Sequence, residues 1–176
     1  MKAFRVVLAV LLLGAAIAVI ERAMVPLVRC NLAKGAINRT VRRFHRIGDE
    51  YQRFNMARRN LVRCDECLAA FPNDYQMHLL RAANLRILGR YDEAVRTFEH
   101  ALTLTERAEI YAQLGEVEIE RGNVEAARRA LLKAATFNIE HVMTVDQPMR
   151  DEIYTAVYAR IDRLKAAKHG QASPSQ

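Results

Sequence analysis

The chain has no tryptophan, and aromatic residues fill only 7% of its 176 positions. It therefore offers no aromatic platform for stacking bases, and no recognised reading motif accompanies its arginines, so nucleic acid is not an expected ligand. Cysteine is scarce as well. The three residues, Cys30, Cys64 and Cys67, are an odd number with no visible pairing framework. An H-E-x-x-H pair, a G-x-S-x-G elbow, a P-loop and a G-x-G-x-x-G turn are all missing, and the five histidines are scattered. Catalysis, a cofactor, a metal and a small-molecule substrate are thus left without residues to serve them.

One short motif could carry chemistry: Cys64-Asp65-Glu66-Cys67. A C-x-x-C pair can form a redox couple or half of a zinc site. Both cysteines fall at positions that face a helical core, where a free thiol behaves as a small hydrophobe. Packing is the preferred reading, and a thiol-based redox or metal protein is the alternative from another class. Glu116, Glu118 and Glu120 have the polar spacing of a solvated or groove-lining helix face rather than of an acid/base pair.

The long apolar run is at the start. Val6 to Ile20 is unbroken by charge, with Lys2 and Arg5 before it and Glu21 and Arg22 after it. At about 1.5 Å per residue it covers about 22 Å, and Ala23-Met24-Val25 can lengthen it toward a roughly 30 Å hydrocarbon layer. Residues 1–24 are read as a membrane anchor. The rivals are a cleaved signal peptide with Ala16-Ile17-Ala18 as its cleavage site, and a buried soluble helix. A five-residue basic leader normally stays inside, which directs the rest of the chain to the outer, periplasmic face. The basic flank beyond the run nearly balances it, and the cysteine usage leans the other way.

Charge is uneven along the chain. Residues 21–63 carry a net +8 and residues 64–176 a net −3, within a total of +7. Arg22, Arg29, Lys34, Arg39, Arg42, Arg43 and Arg46 are therefore expected beside the membrane, attracted to anionic lipid headgroups, with residues 25–40 as a basic juxtamembrane linker.

The remaining pattern returns after 33 residues. Gly89-Arg90-Tyr91-Asp92-Glu93-Ala94, then Phe98, then Ala101-Leu102 is followed by Gly122-Asn123-Val124-Glu125-Ala126-Ala127, then Leu131, then Ala134-Ala135. Each glycine separates two stretches with helical apolar spacing. Upstream, Phe44-x2-Ile47-Gly48-x2-Tyr51, then Asn60-x3-Cys64, Cys67 and Pro72, give a further copy. Tyr111-x2-Leu114-Gly115 opens the last one. The whole resembles the tetratricopeptide repeat family, with Glu106 and Ile139 where the family has proline and Asn60 in an alanine slot. That resemblance covers residues 41–141. It implies an all-α fold: a short solenoid of about three helix–turn–helix units, each burying its core against its neighbours. Asp146-Gln147-Pro148 reads as a helix start, so residues 146–168 are expected as a capping helix. Residues 169–176 are expected to be a disordered tail.

In such arrays the first helix of each unit lines the concave face. The resemblance assigns to that groove Arg42, His45, Asp49, Gln52 and Arg53, then Gln76, Leu79, Arg86 and Ile87, then Glu109, Glu116 and Glu120. Such a groove suits a peptide or helix with an apolar centre. The expected work is that of a membrane-anchored scaffold holding a protein partner, as an assembly factor or accessory subunit of a membrane complex. The alternative is an exported soluble adaptor.

Overall fold

The computed structural model describes residues 2–143 and 145–170. Among them there is no strand; eight α-helices follow one another. The chain opens with α1 (Lys2–Val19), a π turn (Ile20–Met24) and α2 (Val25–Val41), which together make one rod. Pro26 explains the π turn. Proline has no N–H and its ring crowds the carbonyl four residues back, so the helix widens there instead of breaking. The Val25 N–H accordingly donates to the Ile20 carbonyl, five residues back.

A 3₁₀ turn (Phe44–Arg46) leads into α3 (Glu50–Ala70), followed by α4 (Tyr75–Ile87), α5 (Tyr91–Leu104), α6 (Ala108–Arg121) and α7 (Val124–Phe137). From α3 to α7 each helix packs on the next, and α2 packs on both α3 and α4. Three hairpins result: α2/α3, α4/α5 and α6/α7. A second 3₁₀ turn (Ile139–Val142) precedes the last helix, α8 (Gln147–Gly170).

The small and large positions of the repeat meet in the core. Ala82, Ala94, Phe98 and Ala101 have no solvent exposure, nor do Ala127, Leu131 and Ala134. The two repeat glycines, Gly89 and Gly122, stand at φ +69° and +83°, where the chain turns between paired helices and side chains with a Cβ are strained. Asp49, Asp74 and Asn123 cap the N-termini of α3, α4 and α7 by accepting from backbone N–H groups.

The first hairpin corrects the sequence reading. Residues 44–51 were expected to form the first helix of a unit, with its partner beginning near Asn60. Instead the chain makes a 3₁₀ turn at 44–46, and Asp49 starts a new helix by accepting from Tyr51 N (2.9 Å) and Gln52 N (3.4 Å). No glycine or proline interrupts the chain from there to Ala70, so α3 runs unbroken. Its partner is the segment expected as a linker. Cys30 and Ile37 of α2 are buried with Cys64, Cys67 and Met77 in a core shared by α2, α3 and α4. Asn60 also has its reason: its amide donates to the buried Asn84 Oδ1 at 3.0 Å, joining α3 to α4. The expected tail falls partly on α8, which runs through Gly170; residues 171–176 lie outside the described residues.

Candidate partner groove

The first helices of the three hairpins, α2, α4 and α6, border one open groove of about 440 Å³. Lys34, Asn38 and Arg42 stand on the α2 side, and Leu79, Leu80 and Ala83 of α4 make an apolar floor. Glu109 and Gln113 of α6 close the other side, with Tyr75 and Gln76 at one end. Lys34 Nζ binds Asp74 Oδ2 at 2.6 Å, tying the wall to the first turn of α4. Arg42 Nε donates to Asn38 Oδ1 at 3.3 Å. The Arg107 guanidinium lies 5.6 Å over the Tyr75 ring and binds Glu109 at 2.8 Å. The groove therefore has an apolar bed rimmed by amides, with two cations, Lys34 and Arg42, on its α2 side and one anion, Glu109, on its α6 side.

Of the residues assigned from sequence, Arg42, Gln76, Leu79 and Glu109 come together here. Arg86, Glu116 and Glu120 form a separate network between α4 and α6. Arg86 donates to Glu116 and, at 2.6 Å, to Glu120 Oε1. Burial works against the Arg86 charge, but the two carboxylates outweigh it and raise its affinity for the proton. These acids thus bind an arginine of the chain itself, and Ile87 is half-buried beside them on α4. Asp49 is occupied as a helix cap. Gln52 faces a different hollow, with Tyr51, Arg58 and Arg59. Arg53 is half-buried on α3 with its Nε unpartnered. The His45 side chain lies outside those described.

Sequence reading missed Lys34, Asn38, Tyr75, Leu80 and Gln113. Three of these follow from a shift of phase within α4 and α6, and two from taking α2 for a linker. A signal for α2 did exist: Cys30, Ala33, Ile37 and Val41 recur at spacings of three and four, the stripe of a helix.

Residues 75–107, the α4/α5 hairpin with the turn after it, match the family model described as tetratricopeptide repeat. This hairpin is similar to a tetratricopeptide repeat. No curated protein matches the chain. Among solved structures, the Yersinia enterocolitica type III secretion translocator chaperone SycD (alternative dimer) is similar at 16% identity. That likeness covers 76% of this chain and 95% of the other, with a TM-score of 0.45. Tetratricopeptide arrays are protein-interaction scaffolds and typically not enzymes; the groove just described is where the α4/α5 repeat meets its neighbours.

The cysteines sit within this array as packing groups. Burial pushes the Cys64 thiol up to about 12, with Asp65 and Cys67 adding to it. Burial likewise pushes Cys67 up to about 12, helped by a hydrogen bond with the Cys30 thiol. A thiol held protonated is a poor nucleophile and a poor metal ligand. The basic residues expected at the membrane are also redistributed. Arg22 and Arg42 stand on one continuous rod, about 30 Å apart along its axis. Only Arg22 and Arg29 stay near the apolar run. Lys34 is held by Asp74, and Arg39, Arg42, Arg43 and Arg46 stand at or just past the far end of the rod, where Arg42 lines the groove.

Proposed function

We propose that α1 anchors the chain in a membrane and that the α2–α4–α6 groove holds a protein or peptide partner there, as an assembly factor or accessory subunit of a membrane complex. The observation that carries this reading is the rod. Val10–Val41 is long and apolar enough to contain a membrane span, and none of its most apolar window is buried against the rest of the protein. Leu11, Leu12 and Leu13 are each more than 60% exposed, an arrangement that water disfavours and lipid does not. α1 with its π turn reaches about 34 Å, enough to cross a hydrocarbon layer of about 30 Å with its charged ends at the two surfaces. The same rod then becomes a wall of the groove, so a bound partner is held at a fixed height above the anchor. The basic leader favours the outer face for the array, with the basic flank beyond the run nearly balancing it.

A photoreactive amino acid at Leu79 or Gln76, in native membranes extracted with alkaline carbonate, tests both halves. The chain should stay in the pellet, and both positions should yield a defined adduct that the same probe at Glu99, on exposed α5 surface, does not. Equal adducts from all three sites would sink the groove. A chain released to the supernatant with its N-terminus near Val19 would replace the anchor by a cleaved signal, leaving an exported soluble adaptor.

A further inference from the structure

All three cysteines of the chain gather in one core, although Cys30 is 34 residues from Cys64. Cys30 comes from α2, Cys64 and Cys67 come from α3, and Ile37 and Met77 fill the space around them. Within this core the pairing is unequal. The Cys30 and Cys67 thiols are joined by a hydrogen bond. The groups acting on Cys64 are Asp65, Cys67 and Arg81, with Cys30 not among them. Other contacts put the two helices in the same register. Cys30 stands one turn before Lys34 on the rod, Lys34 binds Asp74 at 2.6 Å, and Asp74 also acts on Cys67. Cys67 is one turn before the end of α3, where its carbonyl accepts from the Phe71 N–H at 2.8 Å.

A metal would need these groups as thiolates, which burial opposes, and among the described residues no cluster of three ligating groups stands together. Two thiols in contact across two helices have another chemistry open to them. Oxidation replaces both by one S–S bond, which leaves no charge and no unpaired polar group in the core. The bond also closes a loop from α2 to the end of α3 and so restricts the unfolded chain. Its place matters, because α2/α3 is the most thinly packed of the three hairpins. A link here would brace the rod where it joins the array.

The buried thiols are held protonated, so the reaction belongs to moments when the first hairpin is open, during folding or local unfolding. One cysteine gives up its proton and attacks a sulfur of a small-molecule disulfide, expelling a thiolate that takes up a proton. The other cysteine then loses its proton and attacks the protein sulfur of this mixed disulfide, expelling the second small thiol. Two protein S–H bonds and one small S–S bond break; one protein S–S bond and two small S–H bonds form. The protein loses two electrons and the oxidant gains them. An array on the outer face would meet such oxidants, whereas one on the inner face would keep its thiols.

We propose that Cys30 and Cys67 close to a disulfide that braces α2 on α3 when the chain meets a small-molecule disulfide, while Cys64 stays a thiol. A chain without structure would favour Cys64–Cys67, the shortest loop, so the pairing reports the fold. The test supplies its own oxidant and does not depend on the anchor or its side. The reduced full chain is held in detergent with oxidised and reduced glutathione, in urea below its unfolding midpoint so that the hairpin opens transiently. Free thiols are then alkylated in concentrated urea. Asp65 and Glu66 lie between the α3 cysteines, so trypsin with a glutamate-specific protease puts each on its own peptide. The product should have lost two hydrogens, carry the Cys30 peptide joined to the Cys67 peptide, and be alkylated at Cys64. A C64A variant should give the same link. With the urea removed, the unalkylated oxidised chain should melt roughly 5–10 °C above the same sample treated with dithiothreitol. A Cys30–Cys64 or Cys64–Cys67 link, a glutathione adduct that persists, or three alkylated thiols overturns the pairing. The expected link without a rise in melting temperature overturns the brace.

Discussion

Gly115 and Leu131 share a space with no room for another methyl group. A Cβ at position 115 would lie 2.5 Å from Leu131 Cγ, 2.8 Å from its Cδ2 and 3.3 Å from the Ala127 carbonyl oxygen. Leu131 is fully buried and cannot swing away. Alanine favours a helix over glycine by roughly 1 kcal/mol, whereas overpacking costs about 1–3 kcal/mol, so Gly115→Ala should destabilise in urea titrations. Adding Leu131→Val should recover part of that loss. Phe98 presents the opposite case, a large side chain in a site without solvent exposure. Phe98→Ala should cost about 3–5 kcal/mol by the same measurement, and a loss below about 1 kcal/mol would mean that position 98 is not the filling position of its repeat. Both roles are legible in the sequence because small and large residues alternate there with the period of a helix. Asn60 is not legible in this way. Its partner Asn84 is 24 residues distant, and no local pattern links a buried amide to one on the next helix.

At the scale of elements, the turns within hairpins could be read from Gly89 and Gly122 and the turn between two hairpins from Pro72, since each limits the chain locally. α2 could not be weighed correctly from charge. Its four cations, Arg29, Lys34, Arg39 and the following Arg42, lie on a helix that also buries Cys30 and Ile37. A basic segment and a packed helix are the same residues seen from two sides. The Arg86 network changes what a charge reversal on α6 would do. Glu116 and Glu120 are partly exposed, so each pair with Arg86 contributes below about 1 kcal/mol. Lysine at both positions would lose these pairs and set three cations together. Glu116→Lys with Glu120→Lys should therefore lower the melting temperature modestly, and Arg86→Glu in that background should restore it. The α2/α3/α4 core predicts a pH response of its own. Cys64 and Cys67 are pushed from the ordinary 9.0 up to about 12 in the folded chain, so the unfolded chain releases these protons first. Their contribution is complete below pH 9 and is lost as the pH rises from 9 toward 12. Thermal stability should fall across that window, less so in a C64A/C67A variant compared with its own value at pH 8.

For the whole molecule, the sequence and the structure divide the first forty residues differently, and two truncations separate them. In a stacked array each helix pair is stabilised by its neighbours, so removing a terminal element matters according to what it buries. Among the described residues, α1 buries no side chain against the array. α2 supplies Cys30, Ile37 and the half-buried Ala33 and Val41 to a core that also holds Cys64, Cys67 and Met77, and its Lys34 holds the α4 cap residue Asp74. A chain beginning at residue 25 should keep the unfolding temperature of the array in circular dichroism and no longer require detergent. A chain beginning at residue 42 leaves Met77 and the α3 cysteines facing water. Exposing several buried side chains, each worth about 1.5–3 kcal/mol, should melt the first hairpin well before the rest. A linker at 25–40 would make the two truncations equally stable; only a helix that is one wall of the first hairpin makes the second fail. The groove should follow the same division. Peptide capture survives the first cut and is lost with the second, because Lys34, Asn38 and the wall they stand on belong to α2.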